Sequence, residues 1–260
     1  MKVNRREFLK LLGTVGIVGA VGGALPPVVK YITPPIPKEQ PYPRSKLVWE
    51  DGSPVRASEL EVNVMYKFYY PAKDDTPNML LNLGDENGNP IEIPPARLPK
   101  MMDPIEEPPI IFKIEDNKVT IGEIPGRGGF YEFPGGVGPN RSIIAYSGIC
   151  QHFKCAIPAL AFYKPGKAPP LAASNIAGKG GVVFCSCHGS IYDPYRGAIV
   201  LRAPAPRPLP VVILEWDPTT DELTAIGMAG PTIMGMFCNT CVEPDKLVGD
   251  KTVVTRVPGF

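Results

Sequence analysis

The sequence predicts an all-β head carried on a single N-terminal transmembrane helix. An uncharged run, Leu11–Val29, follows a basic N-terminus, and the rest of the chain alternates short runs typical of strands with turn signals. The 260 residues include 33 prolines spread along the chain, and proline is confined to turns and sheet edges because it removes a ladder donor. The formal net charge of +1 lacks the basic excess typical of nucleic-acid-binding proteins.

Residues 1–30 are predicted to form an export signal and a membrane anchor. In Arg5–Lys10, two adjacent arginines precede an apolar pair, which resembles a twin-arginine export signal. In a helix, Leu11–Val29 is roughly 28 Å long, about one hydrocarbon core. Basic residues precede the run, so the positive-inside rule places the N-terminus in the cytoplasm and the head on the outer face of the cytoplasmic membrane. A cleaved signal peptide is the alternative, and the absence of a clean Ala-x-Ala site disfavours it.

The rest of the chain divides into a linker and the head. Prolines crowd residues 31–44, which predicts a semi-rigid linker, and the head is predicted at 45–260. The main strand predictions are Leu60–Tyr70, Lys118–Ile124, Ser142–Ser147, Gly181–Phe184, Leu209–Trp216, Leu223–Met228 and Thr252–Val257. Arg127–Gly129 is predicted to be a loop. With little helix in evidence, these runs indicate an antiparallel β head.

Both histidines of the chain and four of its six cysteines lie in two short segments. These segments are Cys150-Gln-His152-Phe-Lys-Cys155 and Cys185-Ser-Cys187-His188-Gly-Ser190-Ile-Tyr192-Asp193. Each follows a predicted strand, so both are expected in loops of a small cluster-binding subdomain, about 142–208. Six potential ligands are too many for one tetrahedral zinc, and the zinc-finger spacings are missing. A [2Fe–2S] cluster with two histidines on one iron is the better match to this set of donors.

The complete patterns C-x-H-x-x-C and C-x-C-H-G-S-x-Y-D resemble the Rieske proteins of quinol-oxidising cytochrome b complexes. The order of export signal, anchor, linker and head agrees with that family. The ligands that the resemblance implies for one [2Fe–2S] cluster are Cys150 and Cys185 on the buried iron and His152 and His188 on the outer iron. The resemblance also implies a disulfide between Cys155 and Cys187, which suits a protein exported from the cytoplasm.

The resemblance assigns further residues to the surroundings of the cluster. Ser190 and Tyr192 match hydrogen-bond donors to a bridging sulfide and to the Cys150 sulfur, which raise the reduction potential. Leu201–Pro206 resembles the proline loop that covers the cluster, with Pro204 in the covering position. An ordinary proline-rich turn is the alternative for this segment.

Three features depart from the family pattern. Phe153 and Lys154 occupy positions where a small aliphatic residue and a glycine are expected, so they would alter the surface near the histidines. Ser186 replaces a common proline. The stretch Ala156–Phe184 is longer than in mitochondrial-type members, and its proline and glycine content predicts an inserted surface loop. This divergence is similar to that of archaeal respiratory members.

The resemblance implies a redox subunit rather than an enzyme on its own. His188 would face a membrane quinol, with His152 beside it, and would take up a proton as the cluster takes up an electron. The implied partners are a cytochrome b-type membrane subunit and a cytochrome c-type or copper electron acceptor.

Several rival functions are weighed against this one. The small Rieske subunit of an arsenite oxidase-type enzyme remains the alternative. A Rieske oxygenase needs a further 2-His-1-carboxylate iron site, for which no histidine is left. An oxygenase ferredoxin would be cytoplasmic and usually without the disulfide, and a structural zinc protein is disfavoured by the spacing.

The pair Cys238 and Cys241 stands apart from the two motifs. A redox-active thiol pair needs a helix N-terminus or basic neighbours, and the sequence shows neither. A local disulfide is therefore the prediction for this pair.

Overall fold

The computed structural model describes residues 42–102, 114–115, 117–121, 124, 126–169, 180–231, 233–234, 237–238 and 244–259. They lie in one compact unit, Pro41–Phe260. The predicted signal and anchor, and the linker as far as residue 41, fall outside the described residues. In the part of the chain that is described, no helix has the length and apolar character needed to cross a membrane.

The described residues form strands and three short 3-10 helices, Ala57–Glu59, Pro194–Arg196 and Pro244–Lys246. The strands are β1 Ser45–Val48, β2 Met65–Tyr69, β3 Pro77–Asn82, β4 Ala96–Met101, β5 Ile114–Glu115, β6 Lys118–Val119, β7 Arg127–Phe133, β8 Ile143–Ser147, β9 Leu160–Tyr163, β10 Val182–Cys185, β11 Ile191–Asp193, β12 Ile199–Arg202, β13 Val211–Trp216, β14 Leu223–Ala229, β15 Ile233–Met234, β16 Phe237–Cys238, β17 Lys251–Val253 and β18 Thr255–Arg256. The predicted all-β class is confirmed.

The larger sheet has eight strands in the order β17-β1-β14-β13-β8-β3-β2-β18. Its neighbours are antiparallel, except that β1 and β17 are parallel. Successive side chains of a strand point to opposite faces, so Met79 and Tyr146 face one hydrophobic core, whereas Leu80 and Ala145 face the other. Burial on both faces explains why β3 and β8 are almost continuously apolar.

The smaller sheet has the antiparallel order β12-β11-β10-β9. Its side chains, including Phe162, Val183 and Tyr192, share one continuous core with Tyr146 of the larger sheet. The first motif lies between β8 and β9, and the second lies between β10 and β11. This arrangement places both motif loops at one end of the smaller sheet.

The predicted loops differ from the structure at two places. Arg127–Gly129 begins strand β7, which pairs with β4. The stretch Ala156–Phe184, predicted as an inserted surface loop, contains the buried strand β9 and its antiparallel pairing with β10. Both pairings join residues far apart in the chain, so local composition does not reveal them.

Candidate metal centre

The first motif loop is closed by main-chain hydrogen bonding. The N–H of Cys150 donates to the carbonyl of Cys155 at 2.8 Å, and Ile149 bridges Ala156. Lys154 has a φ of 65°, a left-handed conformation that favours glycine. The backbone therefore explains why glycine is the expected residue at this position.

The second motif loop is a tight turn between β10 and β11. The N–H of Cys185 donates to the carbonyl of Ser190, and the N–H of Gly189 donates back to the carbonyl of Cys185, both at 2.9 Å. Ser186 donates its N–H to the carbonyl of Ala159 at 2.9 Å. This last bond holds the second loop against the segment that follows the first loop.

A disulfide joins Cys155 to Cys187, with their Cα atoms 6.6 Å apart. The sulfurs of Cys155, Cys185 and Cys187 lie within 4.8 Å of one another, but the two in the disulfide cannot act as thiolate ligands. Among the described residues, the free cysteines are Cys150 and Cys185, and both are buried. The loops therefore offer two thiols for a metal.

The two histidines lie side by side at the ends of these loops. Their ring centroids are 4.8 Å apart and the rings are perpendicular. His188 is exposed, whereas His152 is half-buried. Burial and the neighbouring charge of His188 lower the pKa of His152, which favours the neutral imidazole that binds metals. Its Nδ1 is buried and has no hydrogen-bond partner among the described residues.

Tyr192 links the two motifs through its hydroxyl group. The oxygen lies 3.2 Å from the Cys150 sulfur and accepts the Gln151 N–H at 3.1 Å. Because that N–H donates to the oxygen, the hydroxyl proton is free to point to the sulfur. A hydrogen bond from Cys185, supported by Tyr192, lowers the pKa of Cys150 to about 6 despite burial. The same hydrogen bond raises the pKa of the Cys185 thiol well above its usual value.

Ser190 contacts the segment that resembles a proline loop. Its hydroxyl oxygen accepts the N–H of Ala205 at 3.1 Å, which leaves the hydroxyl proton available to a further acceptor. The carbonyl of Pro206 accepts the N–H of Met102 at 2.9 Å. Pro204 is exposed on this loop, and the loop is held against the second motif from one side.

Residues 99–213 match the family model of the Rieske [2Fe-2S] domain. The chain carries a Rieske [2Fe–2S] domain. The soluble domain of the Rieske protein II (soxF) from Sulfolobus acidocaldarius is 25% identical, with a TM-score of 0.47, and the alignment covers 84% of this chain and 94% of that chain. The Rieske domain contains both motifs, and its function is electron transfer through a [2Fe–2S] cluster.

The residues present fit such a cluster. In a Rieske centre, two thiolates bind one iron and two imidazoles bind the other. Cys150 and Cys185 are the buried free thiols, and the unpartnered Nδ1 of His152 is a nitrogen that a bound iron would satisfy. His152 and His188 would place the outer iron towards the surface. Tyr192 and Ser190 each retain a hydroxyl proton that is available to a sulfur acceptor.

Two features of the site were not found from the sequence. The Gln151 side chain and the Asp193 side chain are fully buried, and spacing alone does not report burial. Phe153 is 70% exposed against the histidine rings, where the sequence placed it. The Cys241 residue and the Cys238 side chain lie outside the described residues, so their disulfide stays a prediction.

Asp193 is expected to make stability depend on pH. Its carboxylate accepts the N–H of Tyr195 at 3.0 Å and lies 3.4 Å from Arg196, but burial raises its pKa from 3.8 to about 6. Because the pKa is higher in the folded protein, the contribution of Asp193 to the free energy of unfolding is complete below about pH 3.8 and is lost as the pH rises through about 6. The free energy of unfolding falls by about 3 kcal/mol over this range. Denaturant unfolding between pH 4 and 7.5 measures it.

The matched comparison is between Asp193→Asn and Asp217→Asn. The Asp193→Asn protein should gain stability relative to wild type as the pH rises from 4 to 7.5. Asp217 is exposed and its pKa is lowered by hydrogen bonds from Thr219 and Thr220, so its variant should show no such gain. If both variants follow the wild-type curve, the Asp193 carboxyl titrates as it does in the unfolded chain.

Proposed function

We propose that this chain accepts electrons from membrane quinol, with proton coupling, and passes them to a cytochrome c-type or copper carrier within a cytochrome b complex. The exposure of His188 is the observation that carries the proposal. The two thiols are buried, whereas the imidazole of His188 reaches the surface. A quinol hydroxyl can therefore contact the ligand of the outer iron.

The histidines supply the proton chemistry in this proposal. The cluster, when bound, takes one electron at a time. His188 accepts a hydrogen bond from the quinol hydroxyl at the ring nitrogen that does not bind iron, and takes the proton as the electron leaves. His152 is the more enclosed of the pair and holds the adjacent side of the site. The Cys150 and Cys185 side chains are buried and would hold their iron away from solvent.

We also propose the topology that the sequence predicts. Residues 1–30 anchor the chain in the cytoplasmic membrane, and the linker 31–44 carries the head on the outer face. The disulfide Cys155–Cys187 supports an oxidising compartment, which agrees with export. A semi-rigid linker would hold the head away from the membrane and permit it to swing between the quinol and the acceptor.

Purification from membranes in mild detergent tests the proposed assembly. The full chain, tagged at its C-terminus, should copurify with a haem-containing cytochrome b-type subunit and with quinol oxidase activity towards an added acceptor. Copurification with a molybdenum subunit, without cytochrome b, would overturn the quinol proposal and favour the arsenite oxidase-type alternative.

Phe153 is expected to contribute to quinol binding. Its ring lies 4.0 Å from the His152 ring and 5.9 Å from the His188 ring, measured between centroids, and offers apolar surface beside both. Loss of an aromatic contact of about 1.4 kcal/mol corresponds to a tenfold change in affinity. The Phe153→Ala complex should therefore need about tenfold more quinol for half-maximal rate, with an unchanged midpoint potential.

Phe130 provides the matched control for this variant. It is 39% exposed and lies on β7, where it packs against Arg97. The Phe130→Ala complex should keep the wild-type quinol dependence. An equal rise in both variants, or none in Phe153→Ala, would show that Phe153 does not contact quinol.

A further inference from the structure

Buried polar atoms without partners are concentrated beside the metal centre. The five such atoms among the described residues are Asn78 Oδ1, Tyr131 Oη, Gln151 Nε2, Gln151 Oε1 and His152 Nδ1. Three of the five therefore belong to one dipeptide of the first motif. An unsatisfied buried polar group is destabilising, so this concentration indicates a partner at the site that the described residues do not supply.

The cluster accounts for the unpartnered nitrogen of His152. That nitrogen is one of the donors that fit the outer iron. Gln151 stands between Cys150 and His152 in the sequence, so the Gln151 Cα lies between two ligand positions. Its main chain is held by the bond from its N–H to the Tyr192 hydroxyl, at 3.1 Å. The side chain starts from this fixed point and is fully buried, so it remains in the interior of the site.

We propose that the Gln151 side-chain amide donates an N–H hydrogen bond from Nε2 to a sulfur of the cluster, either an inorganic sulfide or the Cys150 thiolate. An amide is neutral, and its N–H group needs an acceptor when it is buried. The cluster sulfurs are acceptors, and they become more negative on reduction. The amide would therefore stabilise the reduced state and raise the reduction potential, as donors to cluster sulfur do.

Gln151 would act as a third donor beside Ser190 and Tyr192. Each of these two hydroxyl groups accepts a main-chain N–H. Its own proton therefore points away from that N–H. The Gln151 amide has no competing partner among the described residues. The amide oxygen Oε1 cannot take this role, because the cluster sulfurs carry no proton to donate.

Isotope labelling tests the bond in the unaltered protein. The chain contains only two glutamines, Gln40 and Gln151, so labelling the side-chain amide with ¹⁵N is almost specific to this site. Full-length reduced protein, produced with unlabelled histidine in excess, is examined by pulsed electron paramagnetic resonance. The expected result is a weak ¹⁵N coupling in addition to those of the histidine nitrogens. A Gln40→Glu chain should show the same coupling.

A Gln151→Met variant tests the effect on potential. Methionine keeps an unbranched side chain but removes the donor and leaves the main-chain bond to Tyr192 in place. Direct voltammetry should give a lower midpoint potential than wild type, and the ¹⁵N coupling should disappear.

Each contrary outcome is decisive. Absence of the ¹⁵N coupling in the wild-type protein would overturn the proposal, and this result does not depend on whether the methionine variant assembles its cluster. A coupling with an unchanged potential in Gln151→Met would overturn the effect on the reduced state. Neither result bears on quinol oxidation, so the proposed function is tested separately.

Discussion

Replacing both Cys155 and Cys187 with serine is expected to lower the free energy of unfolding by about 4 kcal/mol and to release the cluster. The two residues are 32 positions apart, and closing a loop of that length restricts the unfolded chain by about 4 kcal/mol in the chain-entropy model. This loss is a large fraction of the roughly 5–15 kcal/mol by which whole domains are typically stable.

The cluster is expected to be lost because the disulfide joins the two loops that hold it. His152 belongs to the first loop and His188 to the second, with their rings 4.8 Å apart. Without the covalent link, separation of the loops would pull the outer ligands apart. Denaturant unfolding followed by circular dichroism gives the stability, and the visible absorbance with iron and labile sulfide analysis gives the cluster content.

A matched control removes a weaker link between the same segments. The Ser186 hydroxyl donates to the carbonyl of Ala159 at 3.2 Å. Loss of a single neutral hydrogen bond costs about 1 kcal/mol, so Ser186→Ala should keep its cluster. A double serine variant that is as stable as Ser186→Ala and retains its iron would show that main-chain bonding alone holds the loops.

Local signals were sufficient to predict several elements. The hairpin predicted at Leu209–Trp216 and Leu223–Met228 is present as Val211–Trp216 and Leu223–Ala229. Its turn is set within a few residues, because the Asp217 carboxylate accepts the Thr219 N–H at 2.8 Å. Where the determinants of a turn and its strands are adjacent in sequence, their position can be inferred from sequence.

Elements that depend on distant partners could not be predicted in the same way. Strand β9, Leu160–Tyr163, lies in a stretch whose prolines and glycines indicated a loop, yet all four residues are buried. They are buried because β9 pairs with β10 and contributes to the core that both sheets share. The glycines at the start of β7 were likewise predicted in a loop, and they lie in a strand because β7 pairs with β4.

The candidate site shows the same division. The ligand set and the hydroxyl donors were implied by the resemblance of the two motifs to the Rieske pattern, in which those residue types occur in a specific order. The buried amide of Gln151 and the buried carboxyl of Asp193 are ordinary polar residues by type. Only their tertiary surroundings show that the Gln151 amide has no partner among the described residues and that the pKa of Asp193 is raised.

Removing the Tyr192 hydroxyl is expected to lower the midpoint potential by about 60 mV. The hydroxyl oxygen is 3.2 Å from the Cys150 sulfur, and hydrogen bonds to charged groups contribute about 1.5–3 kcal/mol. If the bond is about 1.4 kcal/mol stronger in the reduced state, its loss corresponds to about 59 mV for one electron. Voltammetry of the Tyr192→Phe protein measures this shift.

Tyr195 offers a matched control three residues along the chain. It is also a buried tyrosine, but its hydroxyl donates to the carbonyl of Gly84 at 2.9 Å rather than to sulfur. Tyr195→Phe should lose a similar amount of stability and keep the wild-type potential. Equal potentials in the two variants would mean that the Tyr192 hydroxyl bonds equally to both redox states. A shift confined to Tyr192→Phe would instead locate the effect at the Cys150 sulfur. Under the proposed function, Tyr192→Phe should also slow quinol oxidation, since the cluster would then be a weaker oxidant.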